Sequence, residues 1–151
     1  MELPVDQIDL ESLVLARNDT HPDGDWWFDP RSGESLYFGL DDDADLPALV
    51  EGVHVLIPRE PQPDTDVDDF LTLLADDPDV DDGLTVDLYQ SFHRRGGSKR
   101  FREKVVRTAV AERWQRFTIE RETVRALDWL LDRDLVEPAS ARAMRDVLAG
   151  D

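Results

Sequence analysis

The fold class follows from one stretch near the N-terminus, Trp26-Trp27-Phe28-Asp29-Pro30-Arg31-Ser32-Gly33-Glu34-Ser35-Leu36-Tyr37-Phe38-Gly39. Its two ends are rich in aromatic side chains, which are typical of β-strands. The four residues between these ends supply turn chemistry, because proline fixes φ and glycine accepts a positive φ. The stretch therefore predicts a β-hairpin.

A third strand is predicted at Val53-His54-Val55-Leu56-Ile57, because this run is rich in β-branched residues and stops at Pro58. With the hairpin it makes a small antiparallel sheet. A sheet of this size needs helices on one face to be stable, so we expect helices in the rest of the chain.

Apolar residues at helical spacing predict a short helix at residues 6–17 and several more in the C-terminal half. The predicted helices of that half cover residues 64–74, 84–92, 98–110, 111–135 and 138–148. We expect Ser98 to cap the third of them. The apolar stripe of the fourth comprises Trp114, Phe117, Val124, Leu127 and Leu131.

The expected fold is therefore α+β, with a small antiparallel sheet of about three strands in the N-terminal half, packed with five to six helices. The C-terminal half is expected to be all helical. The length of 151 residues fits a single domain, 1–151, made of a sheet-bearing part at 1–60 and a helical part at 64–151.

Composition narrows the class of protein. A hydrophobic share of 40% and 4 Trp residues are ordinary for a globular protein. The absence of cysteine excludes disulfides, thiol catalysis and zinc-thiolate sites. No apolar run approaches the roughly 20 residues that span a bilayer, and the N-terminus lacks the pattern of a signal peptide. We expect a cytoplasmic protein with no membrane partner.

The charge is uneven along the chain, whose formal net charge is -18. Residues 1–92 hold 25 acidic residues against 3 arginines, whereas residues 93–151 hold 14 basic residues against 10 acidic ones. Such acidity repels nucleic acid on average, so any nucleic-acid binding must be local to a basic segment. The acidity itself has three open explanations, which are a high-GC genome, a salt-rich cytoplasm and a functional acidic face.

The concentrated positive charge lies at His93-Arg94-Arg95-Gly96-Gly97-Ser98-Lys99-Arg100-Phe101-Arg102-Glu103-Lys104. Free N–H groups at the start of the helix after Gly96-Gly97 point at the space before it, where a phosphate or carboxylate would be held. The candidate anion- or nucleic-acid-binding residues are Arg94, Arg95, Gly96, Gly97, Ser98, Lys99, Arg100 and Arg102. Alternatively, these charges pair with the acidic half of the same chain or with an acidic protein.

The order of these features is similar to that of a bacterial family catalogued as uncharacterised protein family (UPF) 0158. The shared motifs are Trp26-Trp27-Phe28-Asp29-Pro30-Arg31-Ser32-Gly33-Glu34, Ile57-Pro58, Asp69-Phe70, Gly96-Gly97-Ser98-Lys99-Arg100-Phe101-Arg102, Trp114-Gln115-Arg116-Phe117 and Trp129-Leu130. They span roughly residues 7–135. The resemblance implies the same helix, hairpin, strand and helices, and it brings no activity or catalytic residue.

Metal and catalytic motifs are weak. One acidic group comprises Asp41, Asp42, Asp43 and Asp45, and the other comprises Asp64, Asp66, Asp68 and Asp69. The second imitates a calcium loop but lacks its glycine and its final glutamate. His21, His54 and His93 have no partner at helical spacing, and no serine lies in a Gly-x-Ser-x-Gly motif. We predict no catalytic residue, no metal and no cofactor.

The expected function is therefore a non-enzymatic binding or regulatory module that contacts a basic protein, or a second copy of the chain, through an acidic face. The alternative is a nucleic-acid-binding module that uses residues 94–107. A third possibility is an uncharacterised enzyme that uses an acidic cluster.

Overall fold

The computed structural model describes residues 2–20, 23–39 and 52–149. The predicted acidic loop at residues 41–45 and His21 lie outside these ranges. The strands are β1 Gly24–Asp29, β2 Glu34–Gly39 and β3 Val55–Leu56. The helices are α1 Leu10–Asn18, α2 Thr65–Ala75, α3 Asp82–Phe92, α4 Gly97–Val105, α5 Ala111–Asp132 and α6 Pro138–Ala149. The predicted α+β fold is confirmed.

The predicted hairpin is formed by β1 and β2, which pair antiparallel from Gly24 opposite Gly39 to Asp29 opposite Glu34. Its turn closes because the backbone N–H of Gly33 donates to the carbonyl oxygen of Asp29 at 2.8 Å. Gly33 has a φ of 77°, which a residue with a side chain adopts only at a cost in energy.

The third strand is confirmed but is shorter than predicted. β3 pairs antiparallel with β1 through Trp27 opposite Leu56 and Phe28 opposite Val55, so the sheet order is β2-β1-β3. The strand at the centre of the sheet is therefore the first one of the hairpin.

The chain packs into two compact units, unit 1 with residues 1–61 and 122–151, and unit 2 with residues 62–121. The helical segment predicted as one part at 64–151 is thus shared, because residues 122–151 pack with the sheet. The first half of α5 belongs to unit 2 and its second half to unit 1. The prediction of a single domain stays a prediction.

The core of unit 1 joins the sheet to helices. Phe28 at the centre of the sheet is fully buried and meets Trp129 of α5 edge to face, with ring centroids 6.1 Å apart. Leu13 of α1 and Leu127 of α5 are also fully buried in this core. Each such side chain contributes about 1.5–3 kcal/mol by leaving water.

The core of unit 2 is an aromatic cluster around Phe70 of α2. The Phe70 ring lies 6.4 Å from Phe101, 5.0 Å from Trp114 and 5.3 Å from Phe117, measured between centroids. The stripe predicted along α5 is therefore divided, because Trp114 and Phe117 pack in this core while Leu127 packs in unit 1.

The predicted cap at Ser98 is wrong. Gly96 precedes α4 with a left-handed φ of 73°, and the backbone N–H of Arg100 donates to its carbonyl oxygen at 3.1 Å, so the helix already begins at Gly97. Gly97 fits because a Cβ there would overlap the carbonyl oxygen of Phe92. Ser98 is thus inside the first turn, where its side chain faces another helix.

The predicted end of the same helix is also wrong. α4 ends at Val105, and the chain turns through residues 106–110 before α5. Val106, inside the predicted range 98–110, lies beyond the helix and is 63% exposed. Among the described residues, no helix is both long enough and apolar enough to cross a membrane.

Candidate functional site

The candidate anion-binding residues lie in one helical hairpin of unit 2. The hairpin is made of α3, the turn at residues 93–96 and α4. The candidate residues from Gly97 to Arg102 lie on α4. Arg94 and Arg95 are exposed in the turn, and Lys99 and Arg100 are exposed on α4. Arg102 is half-buried, and its guanidinium donates to the side-chain oxygen of Gln62 at 3.5 Å.

A carboxylate of the same chain lies at the start of α4. The Ser98 hydroxyl donates a hydrogen bond to the carboxylate of Asp64, the residue before α2. A hydroxyl expected to face an external anion is thus already bonded to an internal one. The first turn of α4 therefore has a smaller capacity for a further anion than the sequence alone predicts.

Most cations of residues 94–107 have no carboxylate partner in the described part of the chain. Lys104 pairs with Asp87 at 3.5 Å, and Arg102 bonds to an amide. In the part of the chain that the structure describes, no carboxylate oxygen lies within 4.0 Å of the side-chain nitrogens of the other five, which are Arg94, Arg95, Lys99, Arg100 and Arg107. Internal neutralisation, one alternative from the sequence, does not reach these five within the described residues.

The acids at the start of α2 point to different partners. Buried Asp66 accepts from the side chain of Gln62 at 3.0 Å and lies 3.7 Å from Arg121, which donates to Asp69 at 2.8 Å. Asp64 contacts Ser98 instead. Within residues 2–20, 23–39 and 52–149, no three acidic or histidine side chains are grouped to hold a metal ion. The other predicted acidic group, at residues 41–45, lies outside those ranges.

A buried histidine and aspartate meet at the end of β1. The His54 Nε2 atom lies 3.6 Å from an Asp29 carboxylate oxygen, and both residues are buried. The Arg31 side chain donates two hydrogen bonds to the same carboxylate, at 3.1 and 3.2 Å. These bonds lower the pKa of Asp29 despite its burial. The contacts tie β1, the hairpin turn and the residue before β3 together.

Sequence reasoning missed an apolar groove between α2 and α3. It has a volume of about 710 Å³ and is lined by Asp68, Leu71, Thr72, Ala75, Thr85, Val86, Tyr89 and Gln90. Leu71 is buried, whereas Val86 is 53% and Tyr89 54% exposed. The available signal was the excess of apolar residues in α3, more than one helix face can bury.

The groove has an acidic rim without counter-ions. Asp68 lines the groove. Four more acids lie close in sequence to the lining residues Ala75 and Thr85, where α2 ends and α3 begins: Asp76, Asp79, Asp81 and Asp82. No cation of the described ranges pairs with these carboxylates. Asp77 differs, because the backbone N–H of Asp79 and the Arg113 guanidinium donate to it and lower its pKa.

Comparison of the chain with family models, with curated proteins and with solved structures finds no match in any of the three. The resemblance to uncharacterised protein family (UPF) 0158 stays a prediction. Unit 2 carries two candidate binding surfaces, which are the apolar groove between α2 and α3 and the cations of residues 94–107 that have no carboxylate partner among the described residues.

Proposed function

We propose that this chain is a non-enzymatic binding module whose α2–α3 groove receives a basic amphipathic helix from a partner protein. One observation carries the proposal: an open apolar groove is lined by Asp68 and adjoins the acidic α2–α3 connection, and no cation of the described chain pairs with Asp68, Asp76, Asp79, Asp81 or Asp82. Apolar walls favour the apolar face of a helix, and the rim favours lysine or arginine beside that face.

The walls supply the affinity. Val86 and Tyr89 are each more than half exposed, and covering them with an apolar side chain removes this surface from water. Tyr89 is also the kind of side chain that carries a large share of binding energy in protein interfaces. The volume of about 710 Å³ accommodates several side chains of one helix face.

The rim supplies the selectivity. Asp76, Asp79, Asp81 and Asp82 concentrate negative charge where α2 gives way to α3, close in sequence to the lining residues Ala75 and Thr85. A helix with basic residues at one end is attracted there, whereas an acidic helix is repelled. A second copy of this chain is disfavoured as the occupant, because each copy brings a net charge of -18.

The test uses a fluorescently labelled helical peptide of about 14 residues, or four turns, with leucines on one face and lysines on the other. Anisotropy measures its Kd for the whole chain. We expect Val86→Asp and Tyr89→Asp each to weaken binding at least about tenfold. Val147→Asp is the matched control, since Val147 is an exposed valine on α6 and should leave Kd unchanged. Circular dichroism verifies that each variant is folded.

Two results would refute the proposal. One is equal binding of a peptide in which glutamate replaces every lysine, because the rim would then have no role. The other is unchanged affinity in the groove variants. A triple change, Asp76→Asn with Asp81→Asn and Asp82→Asn, should also weaken binding and reduce its dependence on salt.

A further inference from the structure

A second pocket of unit 2 lies beside the basic face of α4. It has a volume of about 490 Å³ and is lined by Ser91 near the end of α3 and by Arg100, Glu103, Lys104, Arg107 and Thr108. It is therefore polar and cationic, unlike the α2–α3 groove. Of the eight candidate anion-binding residues, only Arg100 lines this pocket, while Lys104 and Arg107 fall within the wider segment 94–107 of the nucleic-acid alternative.

Three cations follow one another along this pocket. Arg100 and Lys104 are four residues apart and thus lie on one face of α4. Arg107 lies in the turn that follows the helix and lines the same pocket. Three cations around one pocket can contact several oxygens of a phosphate ligand.

The two arginines of this pocket are available to a ligand. Neither has a carboxylate partner in the described part of the chain, although Glu103 lines the same pocket and is four residues before Arg107.

The hydroxyls of the pocket have different roles. Thr108 already donates its hydroxyl hydrogen to the carbonyl oxygen of Val105 at 2.7 Å. It therefore lines the pocket without donating a hydrogen bond to a ligand. The Ser91 hydroxyl makes no hydrogen bond with the described residues and can donate to a ligand. Lys104 shares its charge with Asp87 at 3.5 Å and is therefore the weaker of the three cations.

We propose that this pocket binds phosphate groups, held mainly by the guanidinium groups of Arg100 and Arg107, with Lys104 and Ser91 as further donors. A guanidinium group can donate two parallel hydrogen bonds to two oxygens of one phosphate, which makes arginine well suited to bind phosphate. The phosphate belongs either to a nucleotide or to a nucleic-acid strand. The site is separate from the α2–α3 groove and does not depend on its function.

The test measures binding of two probes to the whole chain. One is a labelled single-stranded RNA of about 12 nucleotides, and the other is ATP, used as a competitor and in calorimetry. We expect Arg100→Gln with Arg107→Gln to weaken binding of the phosphate probe at least about tenfold, since two charge-assisted contacts are lost. Arg133→Gln with Arg142→Gln is the matched control, because it removes two exposed arginines of unit 1 that also lack a carboxylate partner among the described residues.

The pattern of results separates the sources of phosphate. RNA binding that ATP does not displace, with a slope of log K against log salt near about −2, indicates a strand on three cations. ATP binding that RNA does not displace indicates a nucleotide. The proposal is overturned if neither probe binds, if the Arg100 and Arg107 pair has no effect, or if the control pair weakens binding equally. Loss only with Arg94→Gln and Arg95→Gln would place the site at the α3–α4 turn instead.

Discussion

The Asp29 carboxylate is buried and is contacted by two other side chains. The Arg31 side chain donates two hydrogen bonds to its carboxylate, and His54 lies 3.6 Å away. Hydrogen bonds from Arg31 are the largest cause that lowers the pKa of Asp29, and burial opposes them. The ionised form is therefore favoured by folding, and this stabilises the hairpin turn at neutral pH.

Because the pKa of Asp29 is lower in the folded chain, its contribution is present above the unfolded pKa of about 3.9 and is lost as the pH falls through the folded pKa. We expect Asp29→Asn to be less stable than the original chain at pH 7 and to lose less of its remaining stability between about pH 5 and pH 2. Urea unfolding at several pH values measures this.

Arg31→Gln provides the control for that prediction, because it removes the main cause of the pKa shift and keeps the acid. It should flatten the same acid limb of the stability profile. A profile unchanged in both variants would mean that Asp29 does not contribute to acid sensitivity.

At the scale of elements, α2 has two sides with different tasks. Phe70 is 1% exposed and contacts Phe101, Trp114 and Phe117, whereas Leu73 on the same helix is 47% exposed. We expect Phe70→Ala to lower the free energy of unfolding by about 3–5 kcal/mol, because it leaves a cavity among three rings. Leu73→Ala should change it by no more than about 0.5 kcal/mol. Chemical denaturation followed by tryptophan fluorescence compares the two, and similar losses would contradict the assignment of the core.

The same scale explains how much of the fold could be predicted. The hairpin was predictable because its strands and its turn residues are adjacent in sequence, and only local rules are involved. The start of α4 was not, because Gly96 and Gly97 act through a left-handed φ and a close approach to the Phe92 carbonyl oxygen. The division of α5 between two cores could not be predicted from hydrophobic periodicity either. Periodicity identifies an apolar stripe but not the residues that pack against it.

The candidate sites follow the same rule. The concentration of cations at residues 94–107 is a property of sequence and was predicted. Whether Arg100 or Lys104 has an acidic partner depends on contacts between helices, as does the hydrogen bond of Ser98 with Asp64. The α2–α3 groove was missed because it requires two helices to leave apolar side chains uncovered, and no single stretch carries that information.

At the scale of the whole molecule, the net charge of -18 affects both the stability of the fold and the binding of charged partners. Like charges repel in the compact state, and this repulsion destabilises a folded chain. Salt screens it, because the Debye length falls from about 10 Å at 0.1 M to about 3 Å at 1 M. The ion pairs seen in the structure, such as Arg121 with Asp69, are screened too, so the sign of the salt effect reports which contribution is larger.

We expect repulsion to be larger, since acidic residues number 35 and basic residues 17. The Tm at pH 7 should rise by at least about 3 °C between 0.05 M and 1 M sodium chloride, which corresponds to roughly 1 kcal/mol for a chain of this size. Chloride is the suitable salt, because sulfate stabilises proteins by exclusion from their surface as well. Near the isoelectric point of about 4.3, where the net charge vanishes, the same addition should have little effect. A Tm that falls with chloride at pH 7 would instead mean that attractive ion pairs dominate. A rise would fit a chain suited to a salt-rich environment. In such an environment salt screens the acidic rim, so binding of the basic peptide would depend more on the apolar contacts of Val86 and Tyr89.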